Sequence, residues 1–493
     1  MDICARSSCN VSAAAQHGGL MSQTVELPLW LFALILVFAA VTFASHFLFP
    51  SVRWFFRRRL ERAVARLNQR LERPIQPFNL TQRHDMIQRL IFDPQVTQAI
   101  ADHAHAEGIP ENVAFQEARR YAREIVPSFS AFTYFSLAIR AARLLSNAVY
   151  TVRFGHQRSG SLRAIDPDAT VIFVMNHRSN MDYVLVTYLA AERSALSYAV
   201  GEWARVWPLS GLIRAMGAYF IRRRSRSGLY HKVLAAYVRL ATQAGVTQAV
   251  FPEGGLTLDG RIAPVKLGLL RYMVEAYDPK RRDVVFVPVA LNYDRVLEDS
   301  VLTSAARRGQ RRFRARIGVI ALRLLRQLGL WLIGRYRRAG FAAVNFGEPL
   351  SLRAYMEAHP TTAETESAVV RGIGHELMVR IARNMPVLPV PLLSWVLLNA
   401  GDQSRATLLA RAEDILATLS GGTVAARKVD SGLALEQALV RMQARGLLDI
   451  REGWVTIEAE RLDGLQFYAN SIAHLIPAKM LAEQKENAAS ANT

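Results

Sequence analysis

From Ala169 to Gly347, short β-branched apolar runs alternate with helical segments, and no other feature of the chain limits its fold as much. The runs are Thr170–Met175, Ala218–Ile221, Gln248–Phe251, Val284–Leu291 and Ala342–Phe346. They are apolar enough to be covered on both faces, which is the pattern of strands in a parallel sheet sandwiched between helices. The middle of the chain is therefore predicted to be α/β, with a mainly parallel sheet. The first of these strands runs directly into Asn176-His177-Arg178-Ser179-Asn180-Met181-Asp182-Tyr183, which then opens a helix. Ligands bind at the carboxyl ends of parallel strands, so the search for a site begins there.

The flanking regions read differently. Residues 1–26 form a tail. Leu27–Ala44 lacks charged residues, and the apolar stretch continues through Phe47–Phe49, so 27–49 has the length of a transmembrane helix. Arg53, Arg57, Arg58, Arg59, Arg62 and Arg66 follow it, whereas only Asp2, Arg6 and Glu26 precede it. The positive-inside rule then puts the rest of the chain on the cytoplasmic side, as a single-pass protein of the cytoplasmic (inner) membrane. A cleaved signal peptide would carry its basic cluster before the apolar run. Residues 51–155 look like a helical domain, with periodic Arg-rich stretches at Leu60–Leu71 and Glu117–Ile125. The α/β domain is assigned to 156–350. Residues 351–493 make a mainly helical C-terminal region, with helices expected at Ser404–Leu419, Leu433–Leu448 and Gly464–Ile476 and a turn-strand element around Asp449–Ile457. Val387–Leu398 is apolar but short and interrupted by Pro389 and Pro391, which argues against a second span.

Composition narrows the partners. Lys and Arg outnumber Asp and Glu by 61 to 41, a net charge of +20, so an anionic partner is expected: nucleic acid, anionic lipid, or a phosphorylated or CoA-like substrate. Arg307–Arg338 holds eleven arginines and no acid, interleaved with aliphatic residues. Such a segment suits an anionic membrane surface, the alternative being an ordinary helix with a solvated basic face. The two cysteines, Cys4 and Cys9, both lie in the tail, which excludes a disulfide framework, a zinc ribbon or a cysteine nucleophile in the folded body.

At the head of the first strand, His177 and Asp182 have the chemistry of a serine-hydrolase triad without its serine. The imidazole would take a proton from an attacking hydroxyl while the carboxylate orients the ring. On spacing alone, the plainer alternative is that His177 caps the helix and Asp182 pairs with an arginine. Arg222 and Arg223 end another strand, where planar guanidinium groups can hold a phosphate, or simply belong to a solvated basic run. Gly254 and Gly255 follow a buried strand and allow backbone amides to face an anion, or make a plain turn. Glu253 reads as a binding or positioning residue rather than a second base.

Four blocks in order resemble the glycerol-3-phosphate acyltransferase branch of the glycerolipid acyltransferase family, over about residues 80–350. They are His177-Arg178-Ser179-Asn180-Met181-Asp182-Tyr183, Gly217-Ala218-Tyr219-Phe220-Ile221-Arg222-Arg223, Phe251-Pro252-Glu253-Gly254-Gly255 and Val287-Pro288-Val289-Ala290-Leu291-Asn292-Tyr293. The resemblance implies that His177 is the base and Asp182 its orienting partner. It implies an acceptor site at Arg222, Arg223, Glu253, Gly254 and Gly255, and acyl-donor binding near Pro288. After Gly255 many family members continue Arg-Ser-Arg, whereas this chain has Leu256-Thr257-Leu258-Asp259-Gly260-Arg261, leaving Arg261 or Lys266 as the basic residues in place to substitute.

The implied activity is transfer of a fatty acyl group from acyl-CoA or acyl-carrier protein to glycerol 3-phosphate at a phospholipid membrane, giving lysophosphatidate. No metal, cofactor or covalent enzyme intermediate is required. Lysophosphatidate and dihydroxyacetone phosphate are the alternative acceptors, and a basic membrane-binding protein without activity is the alternative of another class. Nothing in the sequence resembles a motif that reads nucleic acid, and no Gly-x-Ser-x-Gly elbow of a hydrolase is present.

Overall fold

The computed structural model describes residues 28–39, 62, 69, 83–131, 133–155, 162–190, 196–201, 209–222, 225–309, 329, 338–360, 366–419 and 431–477. The chain divides into two units, Met1–Leu67 and Asn68–Thr493. In the first unit residues 29–39 are helical, with Leu29, Trp30 and Phe38 well exposed. The expected span at 27–49 is described only over 28–39, and among the described residues no helix is long and apolar enough to cross a membrane. Most of the expected helix at Leu60–Leu71 and most of Arg307–Arg338 lie outside the described residues.

The second unit is built on one twisted sheet. Its strands are β1 (Thr151–Phe154), β2 (Thr170–Met175), β3 (Ser197–Gly201), β4 (Tyr219–Ile221), β5 (Gln248–Val250), β6 (Val284–Tyr293), β7 (Phe341–Phe346) and β8 (Leu350–Ser351). They lie in the order β1-β7-β6-β2-β5-β3-β4, with β8 beside β6. Pairing is parallel except where β7 and β8 run antiparallel to β6. The mainly parallel α/β expectation therefore holds. Every residue of β2 and β6 is buried, because helices cover both faces of the sheet centre.

β1 and β3 were not anticipated. The sequence of β3, Ser-Tyr-Ala-Val-Gly, has little strand propensity of its own, and its pairing with β5 and β4 makes it a strand.

Topology places the site. From β2 the chain moves to one side of the sheet through β3, β4 and β5, then crosses β2 to form β6 on the other side. The carboxyl end of β2 thus faces the crevice of a topological switch point.

Helices Arg83–Ile91, Pro94–Glu107 and Glu111–Ile125 pack with helix Gly228–Gln243, and their buried residues share one hydrophobic core with the sheet. Pro389 and Pro391 do not break their segment as expected. They begin helix Pro389–Ala400, occupying its first turn, where amides have no intrahelical acceptor. That helix is buried on all sides up to Leu397. Behind it stand helices Arg405–Leu419, Ser431–Ala444 and Leu462–Ala469. A small antiparallel sheet joins β9 (Gln403–Ser404), β10 (Asp449–Arg451) and β11 (Trp454–Thr456) in the order β10-β11-β9.

Candidate active site

His177 and Asp182 meet at the head of β2. His177 Nδ1 lies 2.8 Å from Asp182 Oδ2, with both side chains almost wholly buried. The same carboxylate oxygen accepts the amides of Arg178 at 2.7 Å and Ser179 at 3.0 Å, and Oδ1 accepts the Tyr293 hydroxyl at 2.6 Å. A carboxylate already fed by these donors offers only acceptor oxygens to the imidazole, so Nδ1 carries the ring proton and Nε2 carries the lone pair. The ring stacks on Phe251 with centroids 4.2 Å apart and meets the edge of Tyr183. Among the described residues no hydroxyl or thiol of the protein bonds to His177. Its Nε2 is therefore set up to take a proton from something other than a side chain.

The alternative in which His177 caps the helix does not hold. Ser179 does so: its hydroxyl oxygen accepts the Met181 amide at 3.1 Å, and its carbonyl accepts the Asp182 amide at 3.0 Å. The loop's amides are also spoken for. His177 N donates to Glu253, Arg178 N and Ser179 N donate to Asp182, and Asn180 N donates to Glu298. In this arrangement they hold the His177–Asp182 pair in place.

Glu253 is a clamp between loops. Oε1 accepts the His177 amide and Oε2 the Ala263 amide, each at 2.9 Å. Burial pushes its carboxyl pKa up to about 7, although both amides and the nearby Arg178 oppose the shift. Arg178 is also buried, and its Nη1 donates to the Gly260 carbonyl at 2.8 Å. Desolvation lowers its pKa against the pull of Glu253, Asp182 and Asp259.

Gly254 has φ +68°, and a Cβ there would come within 2.7 Å of the Lys266 side chain, which lies across it. Lys266 is thereby brought beside the glycines, its amide donating to the Pro252 carbonyl at 2.8 Å. Gly255 continues the same turn, partly exposed.

Arg222 stands at the carboxyl end of β4, at the same edge of the sheet as His177. Three strand spacings separate β4 from β2, roughly 14 Å. Its guanidinium forks onto Glu124 at 2.8 and 2.5 Å and lies over the rings of Tyr121 and Tyr230. The Glu124 hydrogen bonds raise its pKa. Arg223 lies outside the described residues.

Pro288 is buried in β6 opposite Val174, one turn of the ladder below the site. Its carbonyl accepts the Gly347 amide at 2.7 Å. The missing N–H therefore faces the junction where β8 pairing ends and β7 pairing begins, and the ladder to β2 is intact.

Two residues were not recognised in their roles. Tyr293 was read within a donor-side strand, yet it holds Asp182. Glu298 was not singled out at all. It accepts the Ser179 hydroxyl at 2.8 Å and the Asn180 side-chain and backbone N–H groups at 3.0 and 3.3 Å. Burial raises its pKa as well. Its one trace in the sequence is that Glu298-Asp299 is an acidic pair just before a strongly basic stretch.

Residues 158–292 match the family model described as Acyltransferase, and residues 329–485 match the Glycerol-3-phosphate acyltransferase C-terminal region. The glycerol-3-phosphate acyltransferase of Pasteurella multocida is 27% identical over 80% of this chain and 50% of its own length. That of Haemophilus ducreyi is 26% identical over 84% of this chain and 53% of its own length. The chain thus spans about half the length of these curated relatives. Among solved structures, the 1-acyl-sn-glycerophosphate acyltransferase of Thermotoga maritima matches 61% of this chain and 99% of that one at 19% identity, with a TM-score of 0.29. In both its central and its C-terminal parts, the chain is thus similar to the glycerol-3-phosphate acyltransferases.

Proposed function

We propose that this protein transfers a fatty acyl group from acyl-CoA or acyl-carrier protein to the sn-1 hydroxyl of glycerol 3-phosphate, giving lysophosphatidate as the first step of phospholipid synthesis. The observation that carries this reading is the buried imidazole whose Nδ1 is pinned to Asp182 while Nε2 makes no hydrogen bond among the described residues. Nε2 accepts the proton of the acceptor hydroxyl as its oxygen attacks the thioester carbonyl. The tetrahedral intermediate then collapses, the carbon–sulfur bond breaks, and the imidazolium returns the proton to the departing thiolate.

Arg222, Arg223, Gly254, Gly255 and Lys266 are the residues proposed to receive the acceptor and its phosphate, with Pro288 on the acyl-donor side. The product is amphiphilic, which suits attachment to the cytoplasmic membrane through the apolar residues 27–49, with the bulk of the chain on the cytoplasmic side. A second acceptor reading, lysophosphatidate or dihydroxyacetone phosphate, draws on Leu256–Leu258, where the arginines usual in the family are absent.

The test is acyl transfer by membranes carrying wild-type protein or His177→Ala. Both thioester donors are offered with glycerol 3-phosphate, dihydroxyacetone phosphate and lysophosphatidate. Acylation of glycerol 3-phosphate by the wild type alone supports the reading. Preference for another acceptor moves the assignment to that acceptor, and transfer that survives without His177 refutes the mechanism.

A further inference from the structure

One short stretch of the C-terminal region, Phe467–Ser471, touches both loops that hold the catalytic pair. The Tyr468 hydroxyl accepts the Val296 amide at 3.0 Å and donates to Asp299 at 2.6 Å. Arg445 reinforces this point, bonding to both the Tyr468 hydroxyl and Asp299. Ser471 meets the Asn292 side chain at 3.2 Å. Together these contacts bracket the turn that carries Tyr293 to Asp182 and Glu298 to Ser179 and Asn180.

On the other side, Asn470 donates to the Asp259 carbonyl at 2.8 Å. The Phe467 carbonyl packs so closely on Gly260 that a Cβ there would lie 1.8 Å from it. Gly260 is the acceptor for the buried Arg178, the residue next to His177. From Phe467 the link to the His177–Asp182 loop passes through Gly260 alone, whereas those from Tyr468, Asn470 and Ser471 each pass through a bonded residue and its chain neighbour.

We propose that Tyr468 and Asn470 are positioning residues. Through Glu298 and Tyr293 on one side and Gly260 and Arg178 on the other, they hold the His177–Asp182 loop in its reactive geometry. Their side chains reach no reacting atom. A loop released from such supports samples misaligned conformations, which lowers turnover more than it weakens substrate binding. This inference deepens the proposed acyl transfer and rests on it for its kinetic readout, but not for its structural one.

The experiment uses the full chain with Tyr468→Phe and Asn470→Asp, which are near-isosteric and remove the hydroxyl and the amide donor respectively. Each is expected to lower kcat by about tenfold while KM for the acceptor stays within about twofold. Glu298→Gln is combined with each. Because Tyr468 acts through the turn bearing Glu298, its losses and those of Glu298→Gln should fall well short of multiplying, whereas Asn470→Asp and Glu298→Gln should multiply. Amide hydrogen exchange at Arg178, Ser179 and Asn180 should quicken in both single variants.

Arg405→Ala, which breaks an exposed pair with Glu436 in the same region, should change none of these readouts. If wild-type protein transfers no acyl group, the functional proposal fails while hydrogen exchange still decides the positioning role. Unchanged exchange at residues 178–180 in both variants would overturn it, as would losses for Tyr468→Phe and Glu298→Gln that simply multiply.

Discussion

The Tyr293 hydroxyl donates to Asp182 Oδ1 at 2.6 Å, from the last residue of β6 to the first turn of the helix that follows β2. Oδ2 faces the imidazole and two loop amides, so the carboxylate is gripped from both ends. Tyr293→Phe keeps the ring in the core and removes only this grip. Turnover is expected to fall about tenfold with little change in KM, since the carboxylate loses one of the supports that orient His177. Steady-state kinetics check this, and an unchanged kcat would show that the loop amides suffice.

His177→Ala and Asp182→Asn should separate chemistry from architecture. The first removes the base and should cost at least the 10²–10⁴-fold, in order of magnitude, of general base catalysis, with thermal unfolding changed modestly. The second places an NH₂ group where three donors converge or where the tyrosine hydroxyl points. It is expected to destabilise the fold by about 2–3 kcal/mol in addition to abolishing activity. Thermal melts of the two variants side by side give the answer, and equal stability would remove Asp182 from its structural role.

Glu253 predicts a pH dependence of stability. Burial holds its carboxyl near 7 against an ordinary value of 4.5, so the folded chain binds this proton more tightly than the unfolded chain does. Stability should therefore fall as pH rises from about 4.5 to about 7, by on the order of 3 kcal/mol, and level off above that. Glu298 and Asp294, also raised by burial, act with the same sign. In Glu253→Gln the slope over this window should flatten, even though the amide loses one of the two backbone donors at this point. Chemical denaturation across the pH range measures it, and an unchanged slope would assign the dependence to the other carboxyls.

Arg222 tests the acceptor site. Its guanidinium is forked onto Glu124, a geometry that lysine cannot reproduce. If this group shares its charge with the acceptor phosphate, Arg222→Lys should raise the acceptor KM by roughly five- to tenfold and leave kcat nearly unchanged. A fall in kcat with KM unaltered would mean that the Arg222–Glu124 pair is architectural.

What the sequence determined by itself was local and periodic. Five runs of apolar residues announced five strands, because a strand covered on both faces must be apolar along its whole length. The turn Asn176–Asp182 announced a candidate site, because ligands bind at the carboxyl ends of such strands. Helices at Glu111–Ile125, Arg405–Leu419 and Ser431–Ala444 were legible from their periodicity for the same reason.

Tertiary structure alone decided the rest, because those features depend on residues distant in the chain. β3 is a strand through its neighbours, not through its composition. Ser179 rather than His177 caps the helix, since His177 is drawn to Asp182 and its amide to Glu253, 76 residues away. Tyr293, Glu298, Tyr468 and Asn470 carry no motif that names their roles. They act by reaching across the fold, and a hydrogen bond between segments a hundred or more residues apart leaves no spacing in the sequence to be read.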